Sequence, residues 1–85
     1  MTKSLLILGG YGNAGRPIAS LLLKELPDVH VIIAGRNLSA AEKYANDLNK
    51  EFPNGRARAR QVDASSLQSL DEAFRDNVDM VIVAA

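Results

Sequence analysis

A run of apolar residues, Leu5-Leu6-Ile7-Leu8, breaks into Gly9-Gly10-Tyr11-Gly12-Asn13-Ala14-Gly15 and then resumes with helical spacing. The order is strand, tight turn, helix, and it restricts the fold of this chain more than any other stretch. Within it Gly10, Gly12 and Gly15 are spaced G-x-G-x-x-G. Gly10 allows the turn off the strand, Gly12 lets the backbone come close to a pyrophosphate, and Gly15 lets the helix pack tightly on a sheet. An anion would then sit at the helix N-terminus, where unpaired N–H groups and the positive end of the macrodipole already point. Glycines cluster in many loops that bind nothing. Here the motif follows an apolar run of strand length and opens a periodic helix, which is the context a nucleotide loop requires.

The unbroken apolar character of residues 5–9 predicts a strand buried on both faces, as in a parallel sheet. A helix follows over residues 13–26, with Ala14, Ile18, Leu21, Leu22 and Leu26 on its buried face, and Pro27-Asp28 stops it. Residues 29–34 are a second β-branched strand, ending at Gly35-Arg36-Asn37. Ser39-Ala40-Ala41-Glu42 has the pattern of a capping box, predicting a helix over 39–50 with Ala41, Tyr44, Ala45 and Leu48 inward. Residues 56–62 alternate charged and small side chains, the signature of a half-exposed edge strand. A second cap, Ser65-Ser66-Leu67-Gln68, opens a short helix through Leu70, Ala73 and Phe74, and residues 79–85 form a fourth strand. The order β-α-β-α-β-α-β forces right-handed crossovers and a parallel sheet. With the glycine loop at the switch point, the fold is α/β: a partial Rossmann-like doubly wound sheet of strand order 3-2-1-4, helices on both faces.

Eighty-five residues make one small domain, spanning 1–85, that buries only about three-fifths of its unfolded surface. Ten basic and ten acidic residues cancel, leaving no electrostatic footprint for nucleic acid or an anionic membrane. No segment approaches the roughly 18 apolar residues of a membrane span. The chain contains no cysteine, which removes disulfides, thiolate metal sites and thiol nucleophiles together and agrees with a cytoplasmic location.

The most informative position beyond the loop is the end of the second strand. NAD-specific proteins carry an acid there for the ribose 2′-OH. This chain has Gly35-Arg36-Asn37 instead, and Arg36 offers a permanently charged, planar guanidinium suited to a 2′-phosphate. NADP is therefore expected over NAD. The plainer reading makes Arg36 a solvated loop residue and Asn37 a shaper of the turn. Asp63 ends the third strand, where it could accept from an adenine amino group or simply cap the next helix. Ala84 and Ala85 end the fourth strand, where small side chains would let a ribose approach or merely pack. Tyr11, inside the glycine loop, could wall a pocket but reads more plainly as an exposed spacer. His30 opens the second strand far from the loop with no second histidine to share a metal, and Ser65 and Ser66 have no partner base. Arg56, Arg58 and Arg60 are read as charges that keep an edge strand from pairing.

Residues 7–19, Ile-Leu-Gly-Gly-Tyr-Gly-Asn-Ala-Gly-Arg-Pro-Ile-Ala, together with Ala-Gly-Arg-Asn at 34–37, Val-Asp-Ala-Ser at 62–65 and Val-Ile-Val-Ala-Ala at 81–85, resemble the N-terminal NAD(P)-binding domain of the saccharopine dehydrogenase-like family. That resemblance implies a Rossmann domain followed by a separate substrate domain in an oxidoreductase. It implies that Gly10, Gly12, Asn13, Ala14 and Gly15 hold pyrophosphate, Arg36 and Asn37 the adenosine end, Asp63 the adenine, and Ala84 and Ala85 the nicotinamide ribose. The loop also reads Gly9-x-x-Gly12-x-x-Gly15, the spacing of extended and atypical short-chain dehydrogenases and of NmrA-like redox sensors.

Three functions follow as alternatives: the cofactor-binding part of an NADP-linked oxidoreductase, catalytically silent alone with a small-molecule substrate handled by a domain the chain lacks; an NADP(H)-binding sensor; or a structural remnant that binds nothing. The fourth strand carries no charge over Val81-Ile82-Val83, so its edge is expected to pair two copies of the chain.

Overall fold

The computed structural model describes residues 3–9, 12, 15–52, 55–63, 68, 71–72 and 78–83. Among the described residues the elements are strands β1 (Lys3–Leu8), β2 (Val29–Gly35), β3 (Ala57–Gln61) and β4 (Met80–Val83) and helices α1 (Gly15–Glu25), after β1, and α2 (Leu38–Glu51), after β2. Every pairing is parallel and the order is β3-β2-β1-β4, as the alternation of elements predicts. Leu8 stands opposite Ala34 and Val83, and Gly35 opposite Gln61, so all four strands finish along one edge of the sheet.

Strand alternation divides the core in two. On one face Leu5, Ile7, Val31, Ile33 and Ala57 are covered by Ala19 and Leu23 of α1 and by Ala41, Ala45 and Leu48 of α2. On the other, Leu6, Ile32, Ala34 and Val62 are buried with Leu8, Val78 and Val81 beside them. The short helix expected on that second face lies mostly outside the described residues; Gln68, Asp71 and Glu72 are helical and exposed.

Three expectations are corrected. The buried stripe of α1 is Gly15, Ala19 and Leu23, with Ile18 and Leu22 at its margin, whereas Leu21 and Leu26 are 58% and 43% exposed. Three consecutive leucines cannot all face the sheet at 100° per residue, and the small residues four apart are what let the helix lie close. The N-cap of α2 is Asn37, not Ser39: the Asn37 side chain accepts from the Ala40 N–H at 3.0 Å, with extended backbone at φ −98° and ψ 95°. Asparagine is at least as good a cap as serine, and here it comes first.

The third correction concerns Arg56. It precedes β3 and does not guard the edge. Its guanidinium donates to the carbonyls of Leu23 (2.6 Å), Leu26 (2.8 Å), Pro27 (3.2 Å) and Val29 (3.3 Å), closing the C-terminal end of α1. A helix leaves its last carbonyls without intrahelical donors, and a cation there also meets the negative end of the macrodipole. Edge protection falls partly to Asn49, whose side-chain amide donates to the Ala57 carbonyl and accepts from the Ala57 N–H, both at 2.9 Å. Val31 N–H bonds the Arg56 carbonyl, so the Ala57 backbone groups point away from β2, and Asn49 plugs them as a neighbouring strand would. At the other side of the sheet β4 pairs with β1, and Met80 and Val83 are exposed.

Candidate cofactor-binding site

The common edge on which the strands finish is where the glycine loop, the Arg36 loop and Asp63 meet. Gly9 leaves β1 with φ +81°, a conformation that L side chains rarely adopt, so the chain already bends at the glycine before Gly10. Its N–H still donates to the Ala34 carbonyl at 2.8 Å, extending the β1–β2 ladder by one rung. The Gly9 carbonyl then accepts from Gly12 N–H at 3.0 Å, closing a tight turn, and the Gly12 carbonyl accepts from Arg16 N–H at 3.1 Å as α1 begins. A Cβ on Gly12 would lie 3.3 Å from the Gly9 carbonyl oxygen, so the turn is drawn tight at Gly12. Gly15 is buried in the first turn of α1.

One strand over, β2 ends at Gly35, and Arg36 and Asn37 follow exposed. Gln61 holds this loop from β3: its side-chain amide donates to the Arg36 carbonyl at 3.3 Å. Val62 N–H donates to the Gly35 carbonyl at 2.9 Å, and the next residue, Asp63, is half-buried. The backbone therefore brings Gly12, Gly15, Arg36, Asn37 and Asp63 to one mouth. Gly10, Asn13, Ala14, Ala84 and Ala85, the other expected site residues, lie outside the described residues, as do Tyr11, Ser65 and Ser66. His30 is half-buried in β2 near its amino end, away from the mouth.

Two residues that hold segments leading to this mouth are not signalled by the sequence. Gln61 reads there as one more polar residue on an edge strand, and only the register, which sets it beside Gly35, reveals its grip on the Arg36 loop. Tyr44 reads as core alone. It is partly buried, but its hydroxyl also donates to the Arg16 carbonyl at 2.8 Å and the Arg16 guanidinium lies 4.9 Å from its ring centroid. Burial holds the Tyr44 phenol above its ordinary pKa, with Arg16 opposing and Glu51 and Asp47 adding to the rise, so the hydroxyl remains a donor at neutral pH.

A family model described as the saccharopine dehydrogenase NADP binding domain matches residues 5–85. The chain belongs to that family. The NADP-binding domain is also 34% identical over 76 residues to human 3-keto-steroid reductase/17-beta-hydroxysteroid dehydrogenase 7, and 33% identical over 72 residues to the uncharacterized oxidoreductase YuxG of Bacillus subtilis. Those matches cover 89% and 85% of this chain but only 22% and 10% of the two relatives. Among solved structures, sorbitol-6-phosphate 2-dehydrogenase SrlD from Erwinia amylovora superposes with a TM-score of 0.78 at 26% identity, covering 95% of this chain and 33% of that one. The domain thus spans about a third or less of the dehydrogenases and reductases it resembles. Among the described residues no cluster of His, Asp or Glu could hold a metal ion, and no helix is long and apolar enough to cross a membrane.

The residues fit a dinucleotide. A turn with no side chain at Gly12 leads into a helix N-terminus, and an exposed guanidinium stands on the neighbouring loop. These are the donors that a pyrophosphate and a ribose phosphate require.

Proposed function

We propose that this chain is the cofactor-binding domain of an NADP-dependent oxidoreductase. In that assembly the nicotinamide supplies the hydride chemistry, and the residues that handle a small-molecule substrate belong to a further domain. The work of this chain is to bind and orient. Gly10, Gly12, Asn13, Ala14 and Gly15 take the pyrophosphate, Arg36 and Asn37 the 2′-phosphate, Asp63 the adenine, and Ala84 and Ala85 the nicotinamide ribose.

The observation that carries the proposal is Arg36, exposed at the end of β2 where an acid would otherwise read the 2′-OH, with its backbone held by Gln61 next to the glycine turn. Titration of NADPH and NADH against the wild-type chain tests it. Tighter NADPH binding is expected, and equal affinities would remove the role given to Arg36.

A second reading is favoured by one observation. Gly9 takes the left-handed conformation and closes its turn on Gly12, so the loop is built as Gly9-x-x-Gly12-x-x-Gly15, the spacing of atypical short-chain dehydrogenases and of NmrA-like NADP(H) sensors. Finding a Tyr-x-x-x-Lys pair in the same polypeptide would favour the short-chain reductase.

A further inference from the structure

The first half of α1 buries only Gly15 and Ala19 fully, a hydrogen and a methyl group, with the partly buried Ile18 packed beside them and no large side chain fully buried until Leu23. Small residues permit close approach but interlock little, so they offer weak resistance to sliding or rotation of the helix start. That start is the segment that would face a pyrophosphate. Sideways restraint comes from α2. Tyr44 reaches across and grips Arg16 twice, its hydroxyl on the Arg16 carbonyl and its ring beneath the Arg16 guanidinium. Arg16 is in turn joined to the glycine turn through its N–H on the Gly12 carbonyl. A continuous series of hydrogen bonds therefore runs from Gly9 to Gly12, to Arg16, to Tyr44. From Tyr44, α2 leads back as a stiff rod of about 10 Å to its cap at Asn37, beside Arg36.

We infer that Tyr44 is a positioning residue of the cofactor site: by tying Arg16 to α2 it fixes the gap between the glycine turn and the loop of Arg36 and Asn37. The inference rests on the reading that a dinucleotide occupies this mouth. A ligand that spans both segments must match that gap, whereas a ligand held by the Arg36 loop alone is indifferent to it. Binding energy that depends on preset spacing is lost when the spacing fluctuates, because the ligand must then order the protein.

The test compares NADPH, which spans the gap, with adenosine 2′-monophosphate, which engages only the Arg36 side. Both are titrated against the wild-type chain, Tyr44→Phe and Tyr44→Leu, with circular dichroism confirming the fold of each variant. Tyr44→Phe keeps the ring and drops the hydroxyl, so the NADPH dissociation constant should rise about three- to tenfold, the range of one neutral hydrogen bond, while that of adenosine 2′-monophosphate stays constant. Tyr44→Leu also removes the stacking and should weaken NADPH further, again sparing the smaller ligand. Equal weakening of both ligands would show that Tyr44 merely supports the fold. Unchanged NADPH binding by folded Tyr44→Phe would overturn the positioning role and leave the cofactor reading standing. A wild-type chain that binds neither ligand would overturn the cofactor reading and this role together.

Discussion

At the amino-terminal ends of the strands, side chains close the structure. Arg56 takes four carbonyls around the end of α1, Asn49 plugs Ala57, and the Asp79 carboxylate accepts the Ser4 N–H at 2.8 Å. At the carboxyl-terminal ends, the closing bonds run largely from backbone to backbone: Gly9 to Ala34, Gly12 to Gly9, Val62 to Gly35. Arg36 is left exposed there, and the turn carries no side chain at Gly9 or Gly12. One end uses its polar side chains to close backbone, and the other leaves Arg36 exposed and its glycine turn bare, the surface that the proposed function gives to a cofactor. Substitutions at the two ends should therefore separate into those that change folding and those that change binding.

The largest effect should come from the closed end. Arg56→Met retains the aliphatic stem but removes every donor, and a hydrogen bond from a charged group is worth about 1.5–3 kcal/mol. The Arg56 Nε is buried without a partner, a cost the substitution relieves, so the net loss should be about 3 kcal/mol rather than the sum over four contacts. For a domain this small that is a large fraction of the total. Urea denaturation measures it, and NADPH affinity of the folded fraction should not change. A loss of affinity without a loss of stability would break the division between the ends.

Next is Gly12→Val at the open end. The Gly12 backbone lies outside the left-handed region, so the added Cβ meets one obstacle, the Gly9 carbonyl at 3.3 Å, and the stability cost should stay near 1 kcal/mol. If Gly12 takes the pyrophosphate as proposed, the valine side chain fills the space the ligand needs, and NADPH binding should fall by about a hundredfold or more, near 2.7 kcal/mol. Undiminished binding by a folded variant would show that the ligand does not approach this turn.

The chain's division into these ends was legible in part. Strand order follows from the alternation of apolar runs with helical patterns, and the loop at the mouth from glycine spacing, because both signals are local. The role of Arg56 was not legible: its partners Leu23 to Val29 lie some thirty residues away, and period-two alternation describes an edge arginine equally well. Gln61 and Tyr44 were hidden for the same reason, since each acts on a backbone carbonyl that only the folded register brings near. Side-chain bonds to distant backbone leave no periodicity in sequence. The α1 stripe misled differently, because hydrophobic size drew attention to Leu21 and Leu26, where the helix buries Ala19 and Leu23 in line with the Gly15 that the motif had already marked for close packing.

Arg36→Ala should act on binding alone. If Arg36 contacts the 2′-phosphate as proposed, removing its guanidinium costs about 1.5–3 kcal/mol of affinity, so NADPH should lose roughly tenfold or more against NADH. Stability should move by no more than about 0.5 kcal/mol, as for other surface changes. Parallel titrations of the two cofactors and a thermal melt check both halves. A drop in melting temperature as large as that of Arg56→Met would mean that the mouth contributes to folding no less than the opposite end does.

The smallest and most discriminating change is at Asn37, a proposed cofactor contact that also closes backbone. Its side-chain oxygen accepts the Ala40 N–H, and Asn37→Ala should cost about 1 kcal/mol, whereas Ser39→Ala, one residue inside the helix, should cost almost nothing. Asn37→Asp keeps an acceptor in the same place and adds a negative charge at a helix N-terminus, so stability should hold or rise by about 0.5 kcal/mol. The same carboxylate would stand beside Arg36, where it repels a 2′-phosphate and accepts from a 2′-OH. NADPH should therefore weaken about fivefold while NADH does not, a shift of about 1 kcal/mol in preference with no loss of fold. Denaturation of the three variants and titration of Asn37→Asp with both cofactors make the comparison. If Asn37→Asp changes stability and leaves cofactor preference untouched, Asn37 belongs with Asn49 and Arg56 as a residue that only closes backbone.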